Sequence, residues 1–308
     1  MNETVLFIGN GINNINNNRT WEVLLNTLHK NYYDPKIPFD EIKQKPFPLV
    51  YEQIVAYQLK KTRNTKIESI VKKLIAEDVK KIVPNKVHER IIKGGYKNII
   101  TANYEFNLIK NMPAHVKNNG CVKETIYSVF RNFKVDGKNY WHLHGDAQNI
   151  HSINLGYEHY CGQLQKMREY VTAGYKSTNK KLSKKFEQVL LKRYYLNTAD
   201  NHSWLDFFFK DNTTIKILGF RMELEEIDLW WLLTYRAKIM YGGKRGIRIP
   251  VNNKLNYYIP KKYTLGKDGK PDPQYKSKKD LMEKMDINVI EIDLPHNEDF
   301  YFEVLRRK

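Results

Sequence analysis

What most limits the folds open to this chain is a succession of short apolar runs, each stopping at glycine or polar residues. "TVLFI" stops at Gly9-Asn10-Gly11, "KNII" at Thr101-Ala102-Asn103-Tyr104-Glu105, and "TTIKIL" at Gly219. Short runs rich in β-branched residues read as strands buried on both faces, as in parallel sheets. Helical patterns separate them. "TWEVLLNTLHK" follows a Thr20 N-cap, 49–62 and 65–82 carry helical spacing, and "VPNKVHERIIKGG" ends a helix at Gly94-Gly95. Further on, 158–197 is helical, "SWLDFFF" a short helix and "ELEEIDLWWLLTYRAKIMYGG" a long one. Asp136-Gly137 between two alternating runs predicts a hairpin whose second strand runs into His142 and His144. A polar, Pro-rich loop is expected from about 250 to 279, ahead of the helix "DLMEKM" and the strand "INVIEID". The alternation predicts one α/β domain over 1–308: a Rossmann-like parallel sheet with helices on both faces and helical insertions at approximately 40–95 and 158–200.

With 308 residues, 41% of them hydrophobic, the chain can fill such a core. No apolar run reaches the ~18 residues that span a bilayer, and the first residues lack a signal-peptide pattern, so a cytoplasmic protein without membrane contact is expected. Cys121 and Cys161 read as free thiols, too few for a four-thiolate zinc site. A net charge of +18 suits nucleic acid, an acidic protein or a polyanionic ligand. Solvated lysine-rich helix faces explain the same charge without a partner.

Ligands of open α/β sheets bind beyond the strand C-termini. "FIGNGINN" can bring backbone N–H groups to a phosphate, though Asn14 stands where the dinucleotide fingerprint has its third glycine, and a plain tight turn fits as well. Asn103, just past a strand and with Glu105 two residues on, reads as a turn residue or as an amide that positions a water or a sugar hydroxyl. His142 and His144 are candidates for a metal pair, a base with a neighbour, or two structural side chains. The cysteines and acids show no spacing that completes a metal site, so no metal is expected.

Taken in order, "GNGIN" followed by "TW", then "TANYE", "HLHG" and "LGFRMELEEIDL" resemble the motifs of the sirtuin (silent information regulator two) family, in particular its bacterial NAD-hydrolysing antiviral branch. The resemblance implies that Gly9, Asn10 and Gly11 hold the NAD pyrophosphate, that Asn13 belongs to the same NAD site and that Asn103 and His144 are catalytic. Thr101, Glu105, Gly219 and Arg221 would complete the NAD site, Glu105 beside nicotinamide. Asn13, Glu105 and Arg221 depart from the family's usual serine, aspartate and serine, and the deacetylases' four-cysteine zinc module is missing. The resemblance therefore favours cleavage of NAD to nicotinamide and ADP-ribose over protein deacylation.

In that reading Asn103 holds water or the nicotinamide ribose and neutral His144 accepts a proton. His142 is structural or supports its neighbour, and Asp146 orients a histidine or caps a turn. The family resemblance further implies an anti-phage effector kept inactive by a partner protein or by homo-oligomerisation; the basic stretches 49–97 and 160–195 are candidate contact surfaces, to a partner chain or indirectly to nucleic acid. The alternative is a nucleotide-sensing or nucleic-acid-associated module without turnover.

Overall fold

The computed structural model describes residues 3–15, 20–109, 118, 120, 126–176, 185–186, 202–243, 249, 251–266 and 268–307. Cys121 and much of 160–195 lie outside them.

Nine strands occur among the described residues: β1 (Glu3–Ile8), β2 (Asn98–Thr101), β3 (Asn132–Val135), β4 (Lys138–His142), β5 (Tyr175–Lys176), β6 (Lys185–Phe186), β7 (Thr213–Leu218), β8 (Lys254–Pro260) and β9 (Ile287–Ile292). Seven form one sheet in the order β3-β4-β2-β1-β7-β8-β9, and β5 pairs with β6 separately. Every neighbouring pair in the large sheet is parallel except β3 with β4. That exception is the expected hairpin: Val135 faces Lys138, and Asp136 (φ 49°) and Gly137 (φ 74°) form the two-residue turn. The six parallel strands run outward in both directions from β1, the doubly wound Rossmann-like order, and a crevice opens where β1 meets β7.

Helices α1 (Trp21–Tyr32), α2 (Phe39–Ile42), α3 (Phe47–Thr62), α4 (Ile67–Val79), α5 (Lys86–Lys93), α6 (Tyr157–Ala173), α7 (Ile227–Gly242), α8 (Pro273–Lys284) and α9 (Glu298–Arg306) cover the sheet or stand beside it. Alternation along β1 sets the two layers. Leu6 and Ile8 share a core with Val87 and Ile91 of α5 and Phe300 and Val304 of α9. Val5 and Phe7 share the other with Met167 of α6, Leu229 and Leu232 of α7, and Met282 of α8. A third cluster, with Leu24, Val50, Ile54, Val71 and Ile75, is the core of a helical subdomain built from α1, α3 and α4. Thus α5 and α6, within the expected insertion ranges, lie on the sheet itself. None of the described helices is long and apolar enough to cross a membrane.

The loop expected from about 250 to 279 is largely ordered instead: β8 and the start of α8 lie within it. Pro260 is compatible with β8 because it ends the strand, where the ladder no longer needs its missing N–H.

Inward lysines secure one layer. Lys138 Nζ donates to the carbonyls of Ile91, Ile92 and Gly94 at the end of α5. Lys216, from β7, does the same for Val304 and Arg307 at the end of α9. Each places a cation where the helix dipole is negative and the last carbonyls lack partners.

Beyond β4 the chain is fixed by a buried ion pair, Arg131 Nε to Asp146 Oδ2 at 3.2 Å. Asp146 Oδ1 also accepts the N–H groups of Gln148 and Asn149, so this residue caps the turn. Removing one partner strands a buried charge. Arg131→Ala is expected to cost about 3–5 kcal/mol, and Arg131→Met with Asp146→Asn to cost less, as read by urea unfolding. Equal losses in the single and double variants would disprove that role for the pair.

Candidate functional site

A cavity of about 490 Å³ opens beyond the C-terminal ends of β1, β2, β7 and β8, between the sheet and the helical subdomain. That lies within the ~300–1,000 Å³ of ligand pockets. Asn10, Gly11, Asn13, Asn103, Glu105, His144, Gly219 and Arg221 line it, while Gly9 and Thr101 do not.

The floor is a backbone crossing. Gly9 N–H donates to Leu218 O at 3.0 Å and Gly11 N–H to Gly219 O at 2.8 Å. A Cβ on Gly9 would sit 2.4 Å from Gly219 O, and one on Gly11 2.8 Å from Gly219 Cα. Gly219 itself has φ +69°, left-handed backbone that favours glycine. Close packing therefore accounts for these glycines, and both N–H groups are already bonded within the protein. Thr101 serves the same seam: its Oγ1 bonds Ile8 O at 3.1 Å and accepts Asn103 N–H at 3.1 Å.

On this floor a polar chain holds Glu105. Asn13 Nδ2 donates to Glu105 Oε1 at 2.8 Å and to Asn10 Oδ1 at 2.9 Å. Asn103 Nδ2 reaches the same Oε1 at 3.3 Å. Behind Asn13 stands His88 of α5. Its Nδ1 accepts Asn85 N–H at 3.1 Å, so its protonated Nε2 donates to Asn13 Oδ1 at 3.1 Å. Burial lowers the His88 pKa to about 4, keeping the ring neutral. Glu105 is 5% exposed, and its Oε2 is buried with no partner among the described residues. Burial raises its pKa, against the opposing hydrogen bonds from Asn13 and Asn103.

The two histidines separate because β4 ends at His142. His142 Nδ1 donates to Asn103 O at 2.9 Å, and the ring packs against Phe106 and Phe133. Its pKa falls to about 4, chiefly by burial, so it is a neutral support for Asn103. His144 instead faces Asp228, with Nε2 2.9 Å from Oδ2 and both residues buried. A carboxylate only accepts, so Nε2 carries the proton and Nδ1 keeps a lone pair. Gly145 (φ +102°) turns the chain directly after this residue.

Asp228 and Glu226 are functional candidates that motif reading missed. Both sit at the start of α7 inside a run of acids that resembles an ordinary helix N-terminus, and Asp228 lies 84 positions from His144. Glu226 lines the cavity, and its buried Oε2 also lacks a partner among the described residues. Burial, reinforced by Asp228, raises its pKa well above the ordinary carboxylate range. Aromatic rings enclose this end: Trp21 stacks on Phe47 at 5.3 Å and meets Tyr104 edge-on at 5.7 Å. At the other end Arg221 lies over Tyr263 near His296. Among the described residues no cluster of three or more His, Cys, Asp or Glu side chains could hold a metal ion.

No family model matches this chain, and no curated protein does.

Because burial raises the Glu105 pKa, the stability from its protonated form is present at low pH and is lost as pH rises through the folded-state value. Glu105→Gln should therefore melt higher than the parent at pH 8, with the gap closing on acidification. A gap independent of pH in thermal melts would contradict this reading.

Proposed function

We propose that the protein is an NAD+ glycohydrolase that splits NAD+ and water into nicotinamide and ADP-ribose. One observation carries the reading: Asn103, His144 with Asp228 behind it, and two carboxyl groups with buried, orphaned oxygens, Glu105 and Glu226, meet at the same cavity. A site that only binds a nucleotide has no need of a base backed by a carboxylate. Glu105 and Glu226 suit a cationic group, because a cation offsets the cost that burial imposes on their charge.

The nicotinamide of NAD+ is a pyridinium. As the bond from ribose C1′ to the ring nitrogen breaks, the electron pair leaves with nicotinamide, which departs neutral without an acid to protonate it. Positive charge builds on the ribose, where the carboxylate of Glu105 stabilises it. Asn103 Oδ1 has no partner among the described residues and is available to position the ribose or the water. Water oxygen bonds to C1′ while His144 Nδ1 takes the proton, and Asp228 stabilises the resulting imidazolium. The proton then passes to solvent. Unrestrained hydrolysis would drain a cell of NAD+, so a partner chain or self-association restrains the enzyme.

His144→Ala and Asn103→Ala are expected to abolish nicotinamide release from folded protein. Asp228→Asn should lower it by about 10²–10⁴-fold through loss of the correct tautomer, whereas His142→Gln retains most of it. Chromatography of nicotinamide and ADP-ribose checks all four, and a His144→Ala variant with parental turnover would refute the assignment.

A further inference from the structure

The described lining of the cavity is rich in acids and poor in bases. Its lining includes Glu22, Asp78, Glu105, Glu223 and Glu226, and among the described residues that line it Arg221 is the only lysine or arginine, in a chain with 52. That arginine is placed with care. Phe220 O accepts the Tyr257 hydroxyl at 2.9 Å and Arg221 O accepts Lys278 Nζ at 2.8 Å, so the backbone beneath the side chain is tied on both sides.

Arg221 Cζ lies 5.0 Å from the Tyr263 ring centroid and Lys262 Nζ lies 4.9 Å from it. Two cations converge on one ring. Neighbouring lysines have acid partners, Lys261 with Asp293 at 3.5 Å and Lys278 with Glu223 at 3.9 Å. Neither Arg221 nor Lys262 is ion-paired among the described residues. The field of the pair reaches the cavity wall: His296 has its pKa lowered to about 4, first by burial and then by Lys262 and Arg221. An arginine set over an aromatic ring still has an N–H fork able to make two parallel bonds to an oxyanion.

The glycine turn is less well equipped for this task, since the Gly9 and Gly11 N–H groups are spent on Leu218 and Gly219. Tyr263 follows β8, three strand positions from β2 and Asn103, a separation of ~14 Å. A ligand long enough to span both stations has its cationic and anionic parts well apart.

We propose that Arg221 and Lys262, set around Tyr263, form the phosphate-recognition site of this cavity. A nucleotide's phosphoryl groups are held there by side-chain cations and not by the N–H groups of the glycine turn. This rests on the nucleotide reading above but not on turnover. The phosphate is either the diphosphate that joins two nucleosides or a phosphomonoester on the sugar at this end.

Calorimetric titration of the full chain with adenosine, AMP, ADP and adenosine 2′,5′-bisphosphate tests it, with Arg221→Gln and Lys262→Gln alongside. A phosphorylated ligand should bind about tenfold or more tightly than adenosine, and each variant should lose most of that advantage while binding adenosine like the parent. A gain from AMP to ADP assigns the diphosphate; a gain from AMP to the 2′,5′-bisphosphate assigns the sugar phosphate. An advantage that survives both substitutions overturns the proposal, as does failure of all four ligands to bind. Nicotinamide release, measured separately, divides the two readings. Release without an Arg221-dependent phosphate preference defeats this inference alone, and the preference without release supports it while removing the hydrolase.

Discussion

The architecture depends on one close approach, between the backbone leaving β1 at Gly9–Gly11 and the backbone leaving β7 at Gly219. These strands lie side by side where the sheet changes direction, so their exits must cross above it. Two hydrogen bonds close the crossing and no side chain fits within it. With the crossing in place, Asn10, Asn13 and Asn103 stand in a row at the sheet's edge, and the helical subdomain can roof them. A bulkier residue at the seam would part the strands' exits and enlarge the floor, and the row would lose its spacing.

Above that floor the protein buries charge at a cost to its own stability. Glu105 and Glu226 each hold an oxygen that nothing among the described residues satisfies, and His144 donates to a fully buried Asp228. Groups so arranged destabilise a fold unless a ligand or a reaction makes use of them. The surrounding structure is correspondingly stiff: His142 and His88 are neutral, packed and hydrogen-bonded on both sides of the row, and Arg131 clamps Asp146 just downstream.

Much of this was legible in the chain itself. Strands that are apolar throughout declared a parallel sheet, and Asp136-Gly137 declared its hairpin. Asn103, Glu105 and His144 could be singled out because each follows an apolar run by a few residues, which is where such sheets present side chains. β8 escaped notice because Asn256 interrupts its apolar pattern and Pro260 ends it, features that read locally as loop; its burial is a property of the finished sheet. Asp228 and His88 were hidden for another reason. An acid in the first turn of a helix and a histidine in a capping box both have sufficient local explanations, and only folding reveals their second partners, His144 and Asn13. The structural account of the glycines could not be anticipated either, since it depends on what Gly219 brings from about 210 residues away.

The helix α5 does not line the cavity, yet its start is fastened to it. Asn85 accepts the N–H groups of Val87 and His88 through Oδ1 while its Nδ2 holds Ile12 O at 2.8 Å, and His88 holds Asn13. Fraying of this helix end would break bonds that also hold the cavity floor. Amide hydrogen exchange at Val87 and His88 is therefore sensitive to the order of a site those amides never touch, and a ligand that quiets the floor slows their exchange.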